Sequence, residues 1–304
     1  MTPEDTAILG TRGSRLALVQ AEECAATLRA AGIEVEVRII RTTSEHHPEM
    51  PLAVIDQRDV FTRQLDEALL SGEIDLAVHS LKDIPTEPPE WVDLAAFTRR
   101  RDPSDVLVSN GRHTLEDLPQ GAIVATSSQR RRAQLLYRRP DLEVVGIRGN
   151  VDTRVRKMRE GAADAVVLAR AGLERLGLDA PYTVIPADTV LPAVGQGALA
   201  AATLHDHPLR GLVREALNHR PTERVVLAER AMLRALEGGC RVPVGASSDA
   251  RGNVVRLRGV VISPDGALVY RGEAEGEEPE EVGERLARDL LVQGAAVVLG
   301  EVRR

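Results

Sequence analysis

The chain has 304 residues and a formal net charge of −7, with 43% hydrophobic and 28% charged residues, which is ordinary for a globular protein of two or three domains. Its acidity and its aromatic content of 2% argue against a nucleic-acid-binding protein, which needs a basic face and stacking side chains. No apolar run approaches the roughly 18 residues of a membrane span, and the acidic start MTPEDTAILG lacks a secretory signal pattern. We therefore expect a cytoplasmic protein whose two cysteines form no disulfide framework.

The first hundred residues predict strands that alternate with helices. Predicted strands lie at 7–11, 35–42, 76–78 and 92–97, and predicted helices at 15–31 and 61–70. Ser14 is the expected N-cap of the first helix. Arg12 lies in the turn before it, where free N–H groups favour an anion, although a solvated turn arginine is the alternative. The alternation predicts an α/β lobe with a parallel sheet.

The stretch 74–85, IDLAVHSLKDIP, combines a short apolar strand with a polar end. His79, Ser80, Lys82 and Asp83 follow the apolar run, and Pro85 prevents a helix behind them. Ligands of open α/β sheets bind at the carboxyl ends of the strands, so this stretch predicts a ligand site. Of 39 basic Lys and Arg residues, only Lys82 and Lys157 are lysines, which draws attention to Lys82.

Residues 43–60 show neither helical nor strand periodicity and predict a long loop. The adjacent His46 and His47 suggest a metal site, but no Cys or His lies at ligand spacing, so a surface loop is the favoured interpretation.

A second α/β cycle follows, with predicted strands at 123–126, 142–147 and 164–169. Helices begin just after these strands, and their starts carry Ser128, Arg130 and Arg131 in one case and Arg148 and Arg154 in another. Arginine binds carboxylates with a planar pair of donors, so the group predicts a site for a ligand with several carboxylates. Any single arginine has the alternative of a solvated helix face paired with glutamate. Neither a P-loop nor a dinucleotide-binding glycine motif is present in the sequence.

The last third predicts a loop at 191–198 that crosses back to the first lobe, then helices at 208–218 and 222–236. Cys240 follows in a tight glycine-rich loop beside Arg241, which favours a reactive thiolate; a packed loop cysteine is the alternative. A β-hairpin at 254–263 and 267–274 and a helix at 280–293 predict a small α+β domain.

Seven segments together resemble the porphobilinogen deaminase (hydroxymethylbilane synthase) family, and they occur in that family's order over nearly the whole chain. The segments are TRGSRLALVQA at 11–21, DLAVHSLKDIP at 75–85, VATSSQRRRAQL at 124–135, IRGNVDTR at 147–154, LARAGLERLG at 168–177, LPAVGQGA at 191–198 and EGGCRVPVG at 237–245.

The resemblance implies two periplasmic-binding-protein-like (type II) α/β lobes with a hinged cleft and a small C-terminal α+β domain. The implied domains are 1–98 with 198–218, 99–197, and 219–304. The resemblance also implies a dipyrromethane cofactor, held covalently through a thioether to Cys240, and a monomer. Charge, aromatic content and the lack of a long apolar run, as above, predict that neither nucleic acid nor a membrane is a partner. The thioether is a sensible anchor, because the hydrolysis that releases product does not cleave it.

The implied reaction joins four porphobilinogen units with loss of ammonia, after which water releases hydroxymethylbilane. Asp83 matches the catalytic aspartate, which would stabilise the azafulvene cation and move protons. The matches to cofactor-binding positions are Ser14, Lys82, Ser128, Arg130, Arg131 and Arg154. The matches to substrate-binding positions are Arg12, Arg148 and Arg175, together with Phe61 at the start of the second helix and Arg58 in the loop before it. No metal site is expected, because no Cys or His lies at ligand spacing.

That loop departs from the family pattern. The family has a Gly-Gly-Lys-Gly-like run before the phenylalanine, in a mobile loop over the cleft, whereas this chain reads DQRDVF at 56–61. Arg58 takes the place of the lysine, but aspartates replace glycines. The competing hypothesis is a non-catalytic carboxylate-binding protein on the same two-lobe scaffold, which would need neither Cys240 nor a covalent adduct.

Overall fold

The computed structural model describes residues 6–41, 62–236 and 243–302. The chain divides into a first unit, Met1–Arg100 with Ala198–Glu223, and a second unit, Arg101–Gly197 with Arg224–Arg304. His46, His47, Arg58, Phe61 and Cys240 lie outside the described residues. The three domain boundaries expected from the sequence stay a prediction.

The described strands of the first unit form one mixed sheet. They are β1 (Ala7–Thr11), β2 (Val35–Ile39), β3 (Leu76–Ser80), β4 (Val92–Phe97) and β10 (Leu199–Leu204), in the order β2-β1-β3-β10-β4. β1 is parallel to β2 and β3, but β10 runs antiparallel between β3 and β4. The prediction of a parallel sheet is wrong here, because β10 pairs antiparallel with β3 and β4. β10 follows the second α/β cycle in the sequence, far from the strands it pairs with. Its alanine-rich sequence also lacks the β-branched signal of a strand.

Helices cover this sheet. They are α1 (Arg15–Ala30), α2 (Arg63–Leu70) and α6 (Arg210–Leu217). The inner face of α1 buries Ala21, Cys24, Ala25 and Leu28, which recur at the three- and four-residue spacing of one helix face. Cys24 is buried on this face, where it is part of the hydrophobic core.

The second unit repeats this arrangement. Its strands are β5 (Asp105–Ser109), β6 (Ile123–Ala125), β7 (Glu143–Val145), β8 (Ala165–Ala169) and β9 (Tyr182–Ile185), in the order β7-β6-β8-β5-β9. β6 is parallel to β7 and β8, and β5 runs antiparallel between β8 and β9. Neither β5 nor β9 was predicted from the sequence. β5 is important for the site, because its first residue, Asp105, contacts the predicted site residues Arg130 and Arg131.

Helices begin close behind the parallel strands of this sheet. They are α3 (Gln129–Arg138), α4 (Val151–Lys157), which runs into a π-helical turn at Met158–Ala162, and α5 (Arg170–Arg175). A longer helix, α7 (Arg220–Ala235), contains the division between the two units and ends shortly before the segment with Cys240.

The C-terminal part of the second unit has an antiparallel sheet of β11 (Val244–Arg251), β12 (Val254–Ile262) and β13 (Val269–Gly276). The helices α8 (Pro279–Gln293) and α9 (Ala296–Val302) follow it. The predicted hairpin and helix are confirmed, while β11 and α9 were missed. α8 packs very close to α7 at Gly283. A Cβ built on Gly283 would stand 2.2 Å from the Ala228 carbonyl oxygen. Only glycine permits this approach.

The predicted fold class, two α/β lobes with a small C-terminal α+β domain, is confirmed. Within the described ranges, no helix has the length and apolar character needed to cross a membrane.

Candidate active site

The predicted catalytic stretch ends in a short, well-anchored turn. β3 runs to Ser80, and Leu81–Asp83 form one 3₁₀ turn behind it. The Leu81 N–H donates to the Ala198 carbonyl oxygen at 3.1 Å, and the Ile84 N–H closes the turn on the Leu81 carbonyl oxygen at 3.1 Å. Leu81 is buried, whereas Lys82 and Asp83 are half-buried. The fold therefore fixes the backbone that carries Lys82 and Asp83 and leaves both side chains partly accessible.

His79 does not belong to this polar end. It lies inside β3, opposite Ala200 of β10, and is buried. Burial, and then the positive charge of Arg12, lowers the pKa of His79 from its usual 6.5 to about 4. His79 is therefore neutral at neutral pH and belongs to the sheet interior.

Arg12 and Ser14 lie in the turn between β1 and α1. Ser14 is the N-cap of α1, as predicted, and its hydroxyl accepts from the Ala17 N–H at 3.3 Å. Gln20 of α1 donates through its side-chain amide to the Ser80 hydroxyl at 2.8 Å, which ties the helix to the end of β3. Because β1 and β3 are parallel neighbours, the turns that follow them lie at the same edge of the sheet. The structure thus brings Arg12, Ser14, Lys82 and Asp83 to one edge of the first unit.

The predicted residues of the second unit also lie behind parallel strands. Ser128 caps α3, since its hydroxyl accepts from the Arg131 N–H at 3.4 Å. Arg148 follows β7, and Arg154 of α4 donates through Nε to the Gly149 carbonyl oxygen at 2.7 Å. Arg175, on the helix after β8, is buried and donates to the Gly197 carbonyl oxygen at 3.4 Å. As β6 is parallel to both β7 and β8, these segments start from one sheet edge.

Arg130 and Arg131 are buried and share a counterion that the sequence analysis did not identify. Arg130 NH1 lies 2.7 Å from Oδ2 of Asp105, and Arg131 NH2 lies 2.8 Å from its Oδ1. Burial by itself would raise the pKa of Asp105. The charges and hydrogen bonds of Arg130 and Arg131 outweigh burial and hold the pKa of that carboxyl below its usual range. The only sequence signal for Asp105 is an acidic residue directly before the apolar run VLVS.

The arginine pair keeps binding capacity for a further anion. Two guanidinium groups and one carboxylate leave one net positive charge in this cluster. Arg130 also donates through NH1 to the Leu191 carbonyl oxygen at 2.6 Å, while its buried Nε finds no hydrogen-bond partner in the described part of the chain. A set of fixed N–H donors with net positive charge suits a carboxylate. The residues present therefore fit a carboxylate-bearing pyrrole cofactor.

Glu229 of α7 is a second buried acid in this unit. Its Oε2 accepts from the Gly195 N–H at 2.7 Å, and its Oε1 accepts from the Ser248 hydroxyl at 2.5 Å. These bonds connect the loop after residue 190 to α7 and β11. Across the described residues, no group of three or more His, Cys, Asp or Glu side chains is arranged to hold a metal ion.

Two domain families match the chain. They are "Porphobilinogen deaminase, dipyromethane cofactor binding domain" over residues 7–210 and "Porphobilinogen deaminase, C-terminal domain" over residues 224–292. A porphobilinogen deaminase of Rubrobacter xylanophilus is 69% identical over 296 residues, which cover 97% of each chain. That of Desulforudis audaxviator is 49% identical over 302 residues, again 97% of each chain. A solved periplasmic VFT2 domain of BvgS from Bordetella pertussis is more distant, with 18% identity, a TM-score of 0.42, and coverage of 69% of this chain and 86% of that one. The chain belongs to the porphobilinogen deaminase family of enzymes.

Proposed function

We propose that this protein is a transferase that condenses four porphobilinogen molecules head to tail, releases ammonia at each step and finally releases hydroxymethylbilane. The observation that carries the proposal is the position of Asp83. In a chain of this family, its carboxylate stands on an anchored turn at the same sheet edge as Arg12 and next to Lys82.

The proposed cofactor is dipyrromethane, joined to the sulfur of Cys240 as a thioether. When bound, it supplies the free pyrrole α-carbon to which the first substrate is added. Lys82 and Arg154 would bind its carboxylates together with the pair Arg130 and Arg131. The hydroxyls of Ser14 and Ser128 complete the proposed contacts. Ammonium and guanidinium groups are suited to this task because they keep their charge at neutral pH.

The substrate also carries carboxylates, and Arg12, Arg148 and Arg175 would bind them. Phe61 and Arg58 are further proposed substrate contacts and lie outside the described residues. Binding through the acidic side chains of porphobilinogen leaves its aminomethyl group free to react.

Asp83 has two proposed roles in each addition. The aminomethyl nitrogen leaves as ammonia, and the pyrrole becomes a cation that an adjacent carboxylate stabilises. The new carbon–carbon bond forms between the methylene carbon of this cation and the free α-carbon of the growing chain, which loses its proton, and Asp83 can accept a proton in this step. Charge stabilisation and proton transfer therefore require the same carboxylate close to the reacting pyrroles.

The test compares the unchanged chain with Asp83→Ala and Cys240→Ala. We expect the unchanged chain to carry a two-pyrrole mass adduct, to colour with Ehrlich's reagent and to form hydroxymethylbilane. Asp83→Ala should keep the adduct and lose about a thousand-fold in turnover, within the usual range for a general acid–base group. Cys240→Ala should have neither adduct nor turnover. An unmodified, inactive wild-type chain would instead support a non-catalytic carboxylate-binding protein.

We further propose that the enzyme acts as a monomer, as the family resemblance implies. Its sequence pattern and composition support a cytoplasmic protein that binds no nucleic acid. Light scattering after size-exclusion chromatography should give the mass of one chain at micromolar concentration. A concentration-independent mass of two chains would contradict this part of the proposal.

A further inference from the structure

Asp105 has no exposed surface, and its carboxylate accepts four hydrogen bonds from the described residues. Oδ2 accepts from Arg130 NH1 at 2.7 Å. Oδ1 accepts from Arg131 Nε at 3.1 Å, from Arg131 NH2 at 2.8 Å and from Gln196 Nε2 at 2.8 Å. Both oxygens of the carboxylate therefore accept from the protein, and burial keeps the carboxylate away from a solvent-borne ligand.

Its partners are fixed from other directions as well. Arg131 NH1 donates to the Val167 carbonyl oxygen at 3.0 Å, and Gln196 donates to the Pro103 carbonyl oxygen at 2.6 Å. Arg130 reaches the Leu191 carbonyl oxygen, as described above. Each guanidinium group thus has at least two acceptors on different elements, which defines its orientation.

The charge balance of the cluster is also informative. Two adjacent arginines on one helix repel each other, and burial makes an uncompensated pair costly. One aspartate offsets a single charge, and the Nε of Arg130 remains buried without a hydrogen-bond partner in the described chain. A purely structural ion cluster would be expected to neutralise both charges, whereas a preformed anion site keeps one positive charge in a fixed place.

We propose that Asp105 is a positioning residue that holds Arg130 and Arg131 in the orientation in which they bind a carboxylate of the cofactor. This inference rests on the proposed function. Asp105 itself touches neither cofactor nor substrate; it acts through the two arginines.

The same contacts connect the arginine pair to the helix that precedes Cys240. Gln196 contacts Asp105, and the neighbouring Gly195 N–H donates to Glu229 of α7. The loop with Gly195 and Gln196 therefore donates hydrogen bonds to two buried acids. Asp105 lies beside the two arginines, and Glu229 lies on the helix that precedes Cys240.

The experiment uses full-length apo-protein from a host that cannot make porphobilinogen. The variants are Asp105→Asn, which removes the charge, and Asp105→Glu, which keeps the charge but displaces the carboxylate. Asp141→Asn is the matched control, because Asp141 binds Arg139 near the other end of α3 through two contacts of 2.8 and 2.7 Å. Circular dichroism and thermal unfolding first establish that each variant is folded.

The first readout is the rate at which porphobilinogen converts each apo-protein to the two-pyrrole adduct, followed by intact mass. We expect both Asp105 variants to load at least about ten-fold more slowly, since displacements of about 1 Å can cost up to a hundred-fold in rate. Asp141→Asn should stay within about two-fold of the unchanged chain, because partly exposed ion pairs contribute little. Should Asp105→Asn fail to fold, the charge-retaining Asp105→Glu decides.

The second readout is the shift of the unfolding temperature with sulfate, an anion used as a probe. Asp105→Glu keeps the charge of the cluster but displaces the arginines, so sulfate should stabilise Asp105→Glu less than it stabilises the unchanged chain. A merely structural role would lower the unfolding temperature at every sulfate concentration and leave its shift with sulfate unchanged.

Folded Asp105 variants that load as fast as the unchanged chain would overturn the proposal. So would an equal shift of the unfolding temperature with sulfate in Asp105→Glu and in the unchanged chain. If the unchanged chain itself acquires no adduct, the proposed function fails, and the sulfate comparison still shows whether Asp105 controls the arginine pair.

Discussion

Replacing His79 with glutamine should remove a large part of the acid sensitivity of this protein. His79 is buried in β3, and burial together with Arg12 lowers its pKa from the usual 6.5 to about 4. In the unfolded chain the imidazole takes up a proton near its usual pKa, whereas in the folded chain it stays neutral until about pH 4. The contribution of neutral His79 to the free energy of unfolding is therefore complete above pH 6.5 and is lost as the pH falls toward 4.

The size of the effect follows from the two pKa values. As the pH falls from about 7.5 to about 5, the proton excess of the unfolded state over the folded state rises from near zero to nearly one, which lowers the free energy of unfolding by about 2 kcal/mol. Glutamine has a similar size and no charge, so His79→Gln should lack this pH-dependent part. Urea unfolding at both pH values, followed by circular dichroism, measures the difference.

The control is His205→Gln, which changes an exposed histidine of the same unit. This control should keep the full loss of stability on acidification. The reasoning would be refuted if His79→Gln and the unchanged chain lost the same free energy of unfolding between the two pH values. A constant difference at both pH values would then report only altered packing.

Three further outcomes are expected. Burial raises the pKa of Asp66 from its usual 3.8 to about 6, so its stability contribution is present below 3.8 and lost as the pH rises through 6. As the pH rises from about 4 to about 7.5, the free energy of unfolding of Asp66→Asn should therefore increase by about 2 kcal/mol relative to that of the unchanged chain. Urea unfolding measures this, and a difference that does not change with pH would contradict it. Gly283→Ala should lower the free energy of unfolding by about 3 kcal/mol, because the added Cβ would meet the Ala228 carbonyl oxygen at 2.2 Å. An unchanged unfolding temperature would show that α8 can shift. Glu229→Gln should lose about 2 kcal/mol, since two charge-assisted hydrogen bonds weaken, and thermal unfolding equal to that of the unchanged chain would argue against this role.

Local sequence signals predicted the parts of the fold that local interactions form. Ser14 and Ser128 were expected at helix starts and cap α1 and α3, because a hydroxyl after a strand satisfies the free N–H groups of the next helix. The hydrophobic face of α1 was equally readable from its spacing. By contrast, β10 was missed, because its alanines form a strand only between β3 and β4, which lie far away in the sequence.

By itself, the sequence determined the α/β architecture, the resemblance to one enzyme family and the candidate residues Lys82, Asp83, Arg130 and Arg131. Only the tertiary structure decided how these residues are held. It assigned His79 to the sheet interior and placed Asp105 beside both arginines, 25 residues from Arg130. The physical reason is that an ion pair between distant residues depends on how strands are ordered. Strand order is set by long-range pairing and burial, which no local pattern of residues records.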